Sequence, residues 1–311
     1  MGKHWENLEH YSSWRKISVG MWEPANDPTI YGFETVDCSR LVPYLEEVSE
    51  VSGVKVTPVA FMVKMLATIF EEFPELNVIM IGKKLRRRKS VDIFCQVALP
   101  NESAGQADLS GVKLEAVDEL DIVEIATKLR SRAGQVRAGQ DEEMEKTKSM
   151  VDIVPGWLMS PMLKLVDFLT FNVPIDLDWL GIRSDPFGSG MVTSVGQFDI
   201  KQGFAPLVPA SRVPVVMLPG VIHKAPFVTE DGEVEGREAI TVSCTFDHRC
   251  YDGYQIGHMV RSMRQMMTHP TDYFPEPDHW ARESGSRGDG AQSADDEARD
   301  DDEEPAPAVA Q

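Results

Sequence analysis

Along the 311 residues the apolar positions follow two rhythms. A period of two marks strands: Ile240, Val242, Cys244 and Phe246 alternate with Thr241, Ser243 and Thr245, which predicts a buried strand ending at Asp247. Ile30 to Val36 alternates aromatic and polar residues in the same way. Val78 to Ile81, Ser90 to Ala98, Val112 to Ala116, Phe204 to Val208 and Val213 to Leu218 read as further strands. Helical spacing appears in Leu41, Leu45 and Val48, in Phe61, Met62, Met65, Leu66, Ile69 and Phe70, in Ile122, Ile125, Ala126 and Leu129, and in Ile256, Met259, Val260, Met263 and Met267.

Punctuation supports these elements. Asp37 or Ser39 can cap the first helix, and Gly53 ends it. Thr57 followed by Pro58 opens the second helix, and Asp121 with Glu124 forms a capping-box pattern for the third, which runs towards Gln140 with Arg130, Arg132 and Arg137 on its polar side. The pair Asp231-Gly232 signals the hairpin turn into the strand that ends at Asp247. The last helix, Gln255 to Met267, stops near Pro270, and a short helix is expected from Arg15 to Met21. Asn101 to Asp108 reads as a polar loop. Lys83, Lys84, Arg86, Arg87, Arg88 and Lys89 read as a solvated hairpin, with a phosphate-binding role as the alternative.

Composition narrows the classes. Hydrophobic residues make up 42% of the chain, ordinary for a globular protein with a sizeable core. The net charge of −19 speaks against a nucleic-acid surface. After His279 ten acidic residues face three basic ones, and the stretch from 275 to 311 is expected to be disordered. Cys38, Cys95, Cys244 and Cys250 show no zinc-ligand spacing; Cys244 reads as a core residue and Cys250 as a packing thiol near the turn, with a reactive thiol beside the site as the alternative. The start of the chain has no apolar leader, and a cytoplasmic location is expected. Between about 146 and 182 lies an apolar run centred on Trp157 to Leu169. Lys164 and Asp167 interrupt it, it is too short for a membrane span, and contact with the core or another subunit is the expectation, with an interfacial membrane helix as the disfavoured alternative.

The chemistry concentrates after the predicted strand. His248-x-x-x-Asp252-Gly253 places an imidazole, a carboxylate and a permissive backbone position in one turn. An imidazole titrates near neutrality and can take and return a proton, so His248 is the candidate general base, against the alternative of a structural histidine at a strand end. Asp252 either orients it or pairs with an arginine elsewhere, Arg15 being the candidate, and the second role is the preferred one.

The stretch FDHRCYDG resembles the DHRxxDG signature of the acyltransferase catalytic domain of 2-oxoacid dehydrogenase complexes, and its HxxxDG core is shared with the chloramphenicol acetyltransferase superfamily. Trp14-Arg15-Lys16 with Met21, Thr57-x-x-x-Phe61-x-x-Lys64, Pro74-Glu75-Leu76-Asn77, Gly190 to Gly196 and Phe204 to Val208 are similar, in order, to further elements of that family. The resemblance runs from about Tyr11 to Pro270, broken by the 146–182 insertion.

That resemblance implies an α/β (α+β) two-layer sandwich of a mixed sheet and helices, a CoA-dependent acyltransferase fold. It divides the chain into an N-terminal arm (1–13), a catalytic domain (14–274) and an acidic tail (275–311). It implies a homotrimer or a multiple of it, coenzyme A as acyl carrier, dihydrolipoamide as a thiol acceptor and no metal. Thr193 aligns with the family's oxyanion-stabilising serine and is assigned that role, beside His248 and Asp252. Ser194, Arg249 and Gly253 are assigned to cofactor binding. No lipoyl domain is expected before Tyr11, so lipoamide would come from a lipoyl-domain protein. The acidic extension weighs against a cubic cage. Alternatives are transfer to a small amine or alcohol, or a non-catalytic assembly protein on the same fold.

Overall fold

The computed structural model describes residues 27–81, 84–101, 106–137, 156–172 and 185–281. The expected arm, the helix from Arg15, the pairing of Asp252 with Arg15, and the chain beyond Ala281 lie outside these residues. So do most of the flanks of the inserted run.

The strands are β1 (Thr29–Asp37), β2 (Val78–Ile81), β3 (Lys84–Arg87), β4 (Ile93–Asn101), β5 (Gln106–Leu114), β6 (Gly190–Val192), β7 (Val215–Pro219), β8 (His223–Val228) and β9 (Val234–Asp247). The helices are α1 (Leu41–Ser52), α2 (Pro58–Glu72), α3 (Ile122–Arg137), α4 (Gly156–Asn172) and α5 (Gly253–Thr268). Among the described residues seven strands form one mixed sheet in the order β1-β9-β7-β6-β4-β5, with β8 also paired to β9. β6 runs parallel to β4 and β7, and the remaining pairs in the sheet are antiparallel. The result is the expected fold, helices layered on a mixed sheet.

Local chemistry explains the helix ends. Thr57 Oγ1 accepts the Ala60 N–H at 3.3 Å with Pro58 at the first helical position. Asp121 and Glu124 exchange side-chain to backbone hydrogen bonds of 2.7 and 3.0 Å. Gly53 closes α1 at φ 68°, a conformation that costs glycine nothing. Neither Asp37 nor Ser39 caps α1: the cap position is Arg40, and the Asp37 carboxylate accepts the Ser39 N–H instead.

The core lies between α2 and the sheet. Phe61, Met62, Val63, Met65, Leu66 and Ile69 are fully buried, each worth about 1.5–3 kcal/mol of transfer free energy. Ile240, Val242, Cys244 and Phe246 meet them from β9. On the other face Thr35 and Thr241 share a hydrogen bond of 2.9 Å, and Thr245 Oγ1 donates to the Ala205 carbonyl at 2.7 Å. Ala205 and Leu207 pack there on Met191, Val213 and Val216, a second small apolar cluster.

Several expectations need correction. Phe204 to Val208 is not a strand; Pro206 and Pro209 lack N–H donors, and the segment crosses the sheet as irregular chain. The predicted loop from Asn101 and the strand at Val112 are one hairpin, with β5 paired to β4 from Asn101↔Gln106 to Ile93↔Leu114, because an edge strand pairs through its backbone whatever its side chains. β4 starts at Ile93 rather than Ser90, since Asp92 gives its carbonyl to the Ser189 N–H. The basic run does form the expected solvated hairpin: Lys84, Arg86 and Arg87 lie on β3, which pairs antiparallel with β2 and is exposed throughout. Packing continues beyond the last helix, where Trp280 is 3% exposed.

Candidate active site

β9 delivers His248. The turn after it is tied by the Asp247 carbonyl, which accepts the N–H groups of Cys250 and Tyr251 at 2.9 and 3.0 Å. The Asp247 carboxylate accepts the backbone N–H and the guanidinium of Arg249, at 2.9 Å to both Nε and N and 2.6 Å to Nη2. The Asp247 N–H donates to the Pro214 carbonyl, and the His248 N–H to that of Pro28 at 2.8 Å. Three segments therefore fix the histidine backbone.

The ring is fixed too. His248 Nδ1 lies 3.0 Å from the Tyr251 carbonyl oxygen, an acceptor only, so Nδ1 carries the proton and Nε2 is left with its lone pair, as a general base requires. The imidazole is exposed, on the surface of the described chain. Tyr251 is thereby the orienting residue that sequence reasoning missed. It is 1% exposed, and its hydroxyl donates to the Leu76 carbonyl at 2.7 Å. The only signal for it was its place inside FDHRCYDG.

Asp252 is engaged elsewhere. Its carboxylate accepts the N–H groups of Tyr254 and Gln255 at 2.9 and 3.2 Å, and Gln255 Oε1 accepts the Asp252 N–H, a complete capping box for α5. Its carboxylate makes no hydrogen bond to the imidazole; the Tyr251 carbonyl does. Gly253 is the first residue of α5. Cys250 is 8% exposed, and burial pushes its thiol up to about 11, the mark of a packing thiol.

Thr193 follows β6. Its N–H donates to the Met217 carbonyl at 3.0 Å, while its hydroxyl makes no hydrogen bond to another described residue and is half-buried. The Ser194 hydroxyl is taken: it accepts the Gly196 N–H at 3.2 Å and faces the Pro219 carbonyl at 3.4 Å. Below, Gly220 lies so close to the following loop that a Cβ would sit 2.0 Å from the Lys201 carbonyl oxygen.

Register separates the two candidates. Val192 pairs with Met217, and Leu218 with Ser243, so Thr193 stands level with Ser243, five residues before His248 on a strand two places away. Five strand residues and two interstrand steps amount to about 19 Å. Within one chain the base and the hydroxyl cannot reach one substrate atom.

Among the described residues no His, Cys, Asp and Glu side chains gather in a group of three that could hold a metal ion, and no described helix is long and apolar enough to cross a membrane. On the open face near the site, Tyr31 and Phe33 of β1 are 52% and 61% exposed and stack edge-on with Phe204, at 5.4 and 6.3 Å between ring centres.

Comparison with known proteins agrees with the fold. The chain is 24% identical over 244 residues to the lipoamide acyltransferase component of the branched-chain alpha-keto acid dehydrogenase complex of Bacillus subtilis (strain 168), covering 77% of this chain and 46% of that protein. It is 22% identical over 232 residues to the dihydrolipoyllysine-residue acetyltransferase component of the pyruvate dehydrogenase complex of Mycoplasma capricolum, covering 74% and 42%. The chain thus spans less than half the length of both relatives. Among solved structures, the cubic core of the pyruvate dehydrogenase multienzyme complex superposes with a TM-score of 0.57 at 18% identity, covering 78% of this chain and 83% of that one. The same values hold for the dihydrolipoamide acetyltransferase of Azotobacter vinelandii, investigated for the roles of a serine, a histidine and an asparagine in its catalytic mechanism. The model of the 2-oxoacid dehydrogenases acyltransferase (catalytic domain) matches residues 4–153 and 187–274, most of the chain and both halves of the candidate site, and the chain belongs to that family.

Proposed function

We propose that the chain is a CoA-dependent acyltransferase exchanging an acyl group between CoA and the thiol of dihydrolipoamide, the lipoamide being carried on a lipoyl-domain protein. The observation that carries the proposal is the fixed tautomer of His248, with Nδ1 held by the Tyr251 carbonyl and Nε2 left as the base. His248 Nε2 takes the proton of the acceptor thiol, and the thiolate attacks the carbonyl carbon of the acyl-CoA thioester. The resulting oxyanion accepts a hydrogen bond from the Thr193 hydroxyl. Collapse breaks the carbon–sulfur bond to CoA, and the imidazolium returns its proton to the departing CoA thiolate. No acyl-enzyme forms.

Because His248 and Thr193 stand about 19 Å apart in one chain, each site is completed by a neighbouring subunit, in a homotrimer or a multiple of it. The Azotobacter protein lends support: its histidine and asparagine are four residues apart, as are His248 and Asp252, and its serine precedes the histidine by 52 residues against 55 from Thr193 to His248. In this reading Asp252 acts through the α5 cap, and Arg249 and Ser194 hold the turns flanking the site rather than the cofactor. The catalytic unit is 14–274, with 146–182 added to it, and the location is cytoplasmic.

The test is acyl exchange from acetyl-, propionyl- and succinyl-CoA to dihydrolipoamide, followed by release of free CoA. His248→Ala should slow release by about 10²–10⁴-fold with the oligomer intact. Wild-type protein that neither releases CoA nor binds acyl-CoA by calorimetry would overturn the proposal in favour of the assembly-protein reading.

A further inference from the structure

The β2–β3 hairpin carries charge that the rest of the described protein does not answer. β3 is exposed along its length, and Lys84, Arg86, Arg87 and Lys89 place four positive charges within six residues. Arg88 is different: its guanidinium is buried and forks onto Asp185 at 2.9 and 3.0 Å. None of the other four has an acidic partner among the described residues. In a chain of net charge −19, an uncompensated basic strand at the edge of a two-stranded sheet calls for an anionic cover.

The same chain contains one. Residues 295–304, DDEARDDDEE, hold eight carboxylates and one arginine and lie beyond both Ala281 and the family match, which ends at residue 274. Reach is sufficient. Trp280 is anchored by its indole N–H on Asp121, whose neighbour Asp118 gives its carbonyl to Lys64 in α2. From Lys64 the remainder of α2 rises only about 12 Å to Glu72, and the short turn Pro74–Leu76 leads straight into β2. Fourteen peptide steps separate Ala281 from Asp295, a length of chain that can span at most about 50 Å. Because both lie on one chain, the acidic segment meets the hairpin intramolecularly, at an effective concentration set by the length of the tether.

We infer that residues 295–304 dock on the exposed basic strand of their own chain, pairing carboxylates with Lys84, Arg86, Arg87 and Lys89. The contact is electrostatic, so it weakens steeply with salt. It covers an edge strand otherwise open to other anions and to strand pairing.

The test uses the full chain and one ending at Ala281, with no reference to catalysis. Carbodiimide coupling at low salt, read by mass spectrometry, should join the Lys84 or Lys89 amine to carboxylates of 295–304. The links should vanish at about 0.5 M salt, where the screening length falls to a few ångströms. Hydrogen exchange of Val78 to Arg87 should be slower in the full chain by about fivefold, the mass-action factor for an effective concentration a few times the dissociation constant. The variant K84E/R86E/R87E, altered only at exposed positions, should abolish both effects while keeping the circular dichroism of the parent. Equal exchange rates in the two chains, or coupling of the tail to sites other than the hairpin, would overturn the inference.

Discussion

The most discriminating perturbation pairs two inactive variants. His248→Ala removes the base, and Thr193→Ala removes the oxyanion donor, an expected loss of about 10²–10³-fold or roughly 3–4 kcal/mol of barrier. If both groups served the same chain, a mixture would stay inactive. The register forbids that: Thr193 is level with Ser243, and the five residues from there to His248, plus two strand steps, leave about 19 Å between them. A reacting carbonyl must lie within about 3 Å of both donor and nucleophile. In a cyclic trimer every mixed composition contains one junction at which an intact His248 faces an intact Thr193 of the next subunit. Co-expression of the two variants with different tags, and purification through both, should therefore yield trimers with about one third of wild-type exchange activity, against about 1% or less for either parent. Doubly tagged trimers no more active than the parents would refute the shared-site reasoning, while a wild-type control purified the same way guards against damage in handling.

Other predictions rest on single contacts. Tyr251→Phe deletes the buried hydrogen bond to the Leu76 carbonyl and should cost about 1–3 kcal/mol in urea unfolding, with a matching fall in exchange rate only if the turn shifts His248. Gly220→Ala drives a methyl into the Lys201 carbonyl and should destabilise by about 1–3 kcal/mol, disturbing the loop after Thr193 so that activity falls further than stability; unaltered melting would contradict the packing described. Burial raises the thiols of Cys38, Cys95 and Cys244 to about 12 and that of Cys250 to about 11, from an ordinary 9.0. Folded-state values above the unfolded ones give stability that is complete below about pH 9 and lost as pH rises towards 11–12. Urea midpoints should fall between pH 8.5 and 10.5, and Cys250 should resist alkylation at pH 8. Arg212→Ala should free α4 to limited proteolysis, because the guanidinium forks onto Asp167 at 2.9 and 2.5 Å and lies over the Phe171 ring at 4.3 Å.

What could be read from the chain was local chemistry. A cap satisfies donors within three residues, so Thr57-Pro58 and Asp121-Glu124 announce their helices wherever the helices end up. The alternation from Ile240 to Phe246 and the turn at Asp231-Gly232, where Gly232 adopts φ 83°, likewise depend on neighbours in sequence. The FDHRCYDG stretch carried its resemblance for the same reason. Long-range pairing is another matter. β6 is three residues long, lies between β4 and β7, and joins them in parallel across distant stretches of chain. Nothing near Gly190 encodes those partners, so the 19 Å that parts Thr193 from His248 was invisible. Tyr251 escaped because its orienting atom is a backbone carbonyl, which every residue type possesses. Trp280 escaped because a single aromatic in an acidic stretch has no period.

The Arg212 fork has a mechanical side. Arg212 stands two residues before Pro214, whose carbonyl receives the Asp247 N–H, and Asp247 precedes the histidine. It also donates to the Met80 carbonyl of β2 at 3.1 Å. One planar cation thus tethers α4, a helix within the stretch 154–186 that the family model does not match, to the platform on which His248 stands. Leu158, Leu165 and Phe168 remain exposed along that helix. Any surface that binds them acts on a helix tied through this one cation to the segment that supports the histidine turn.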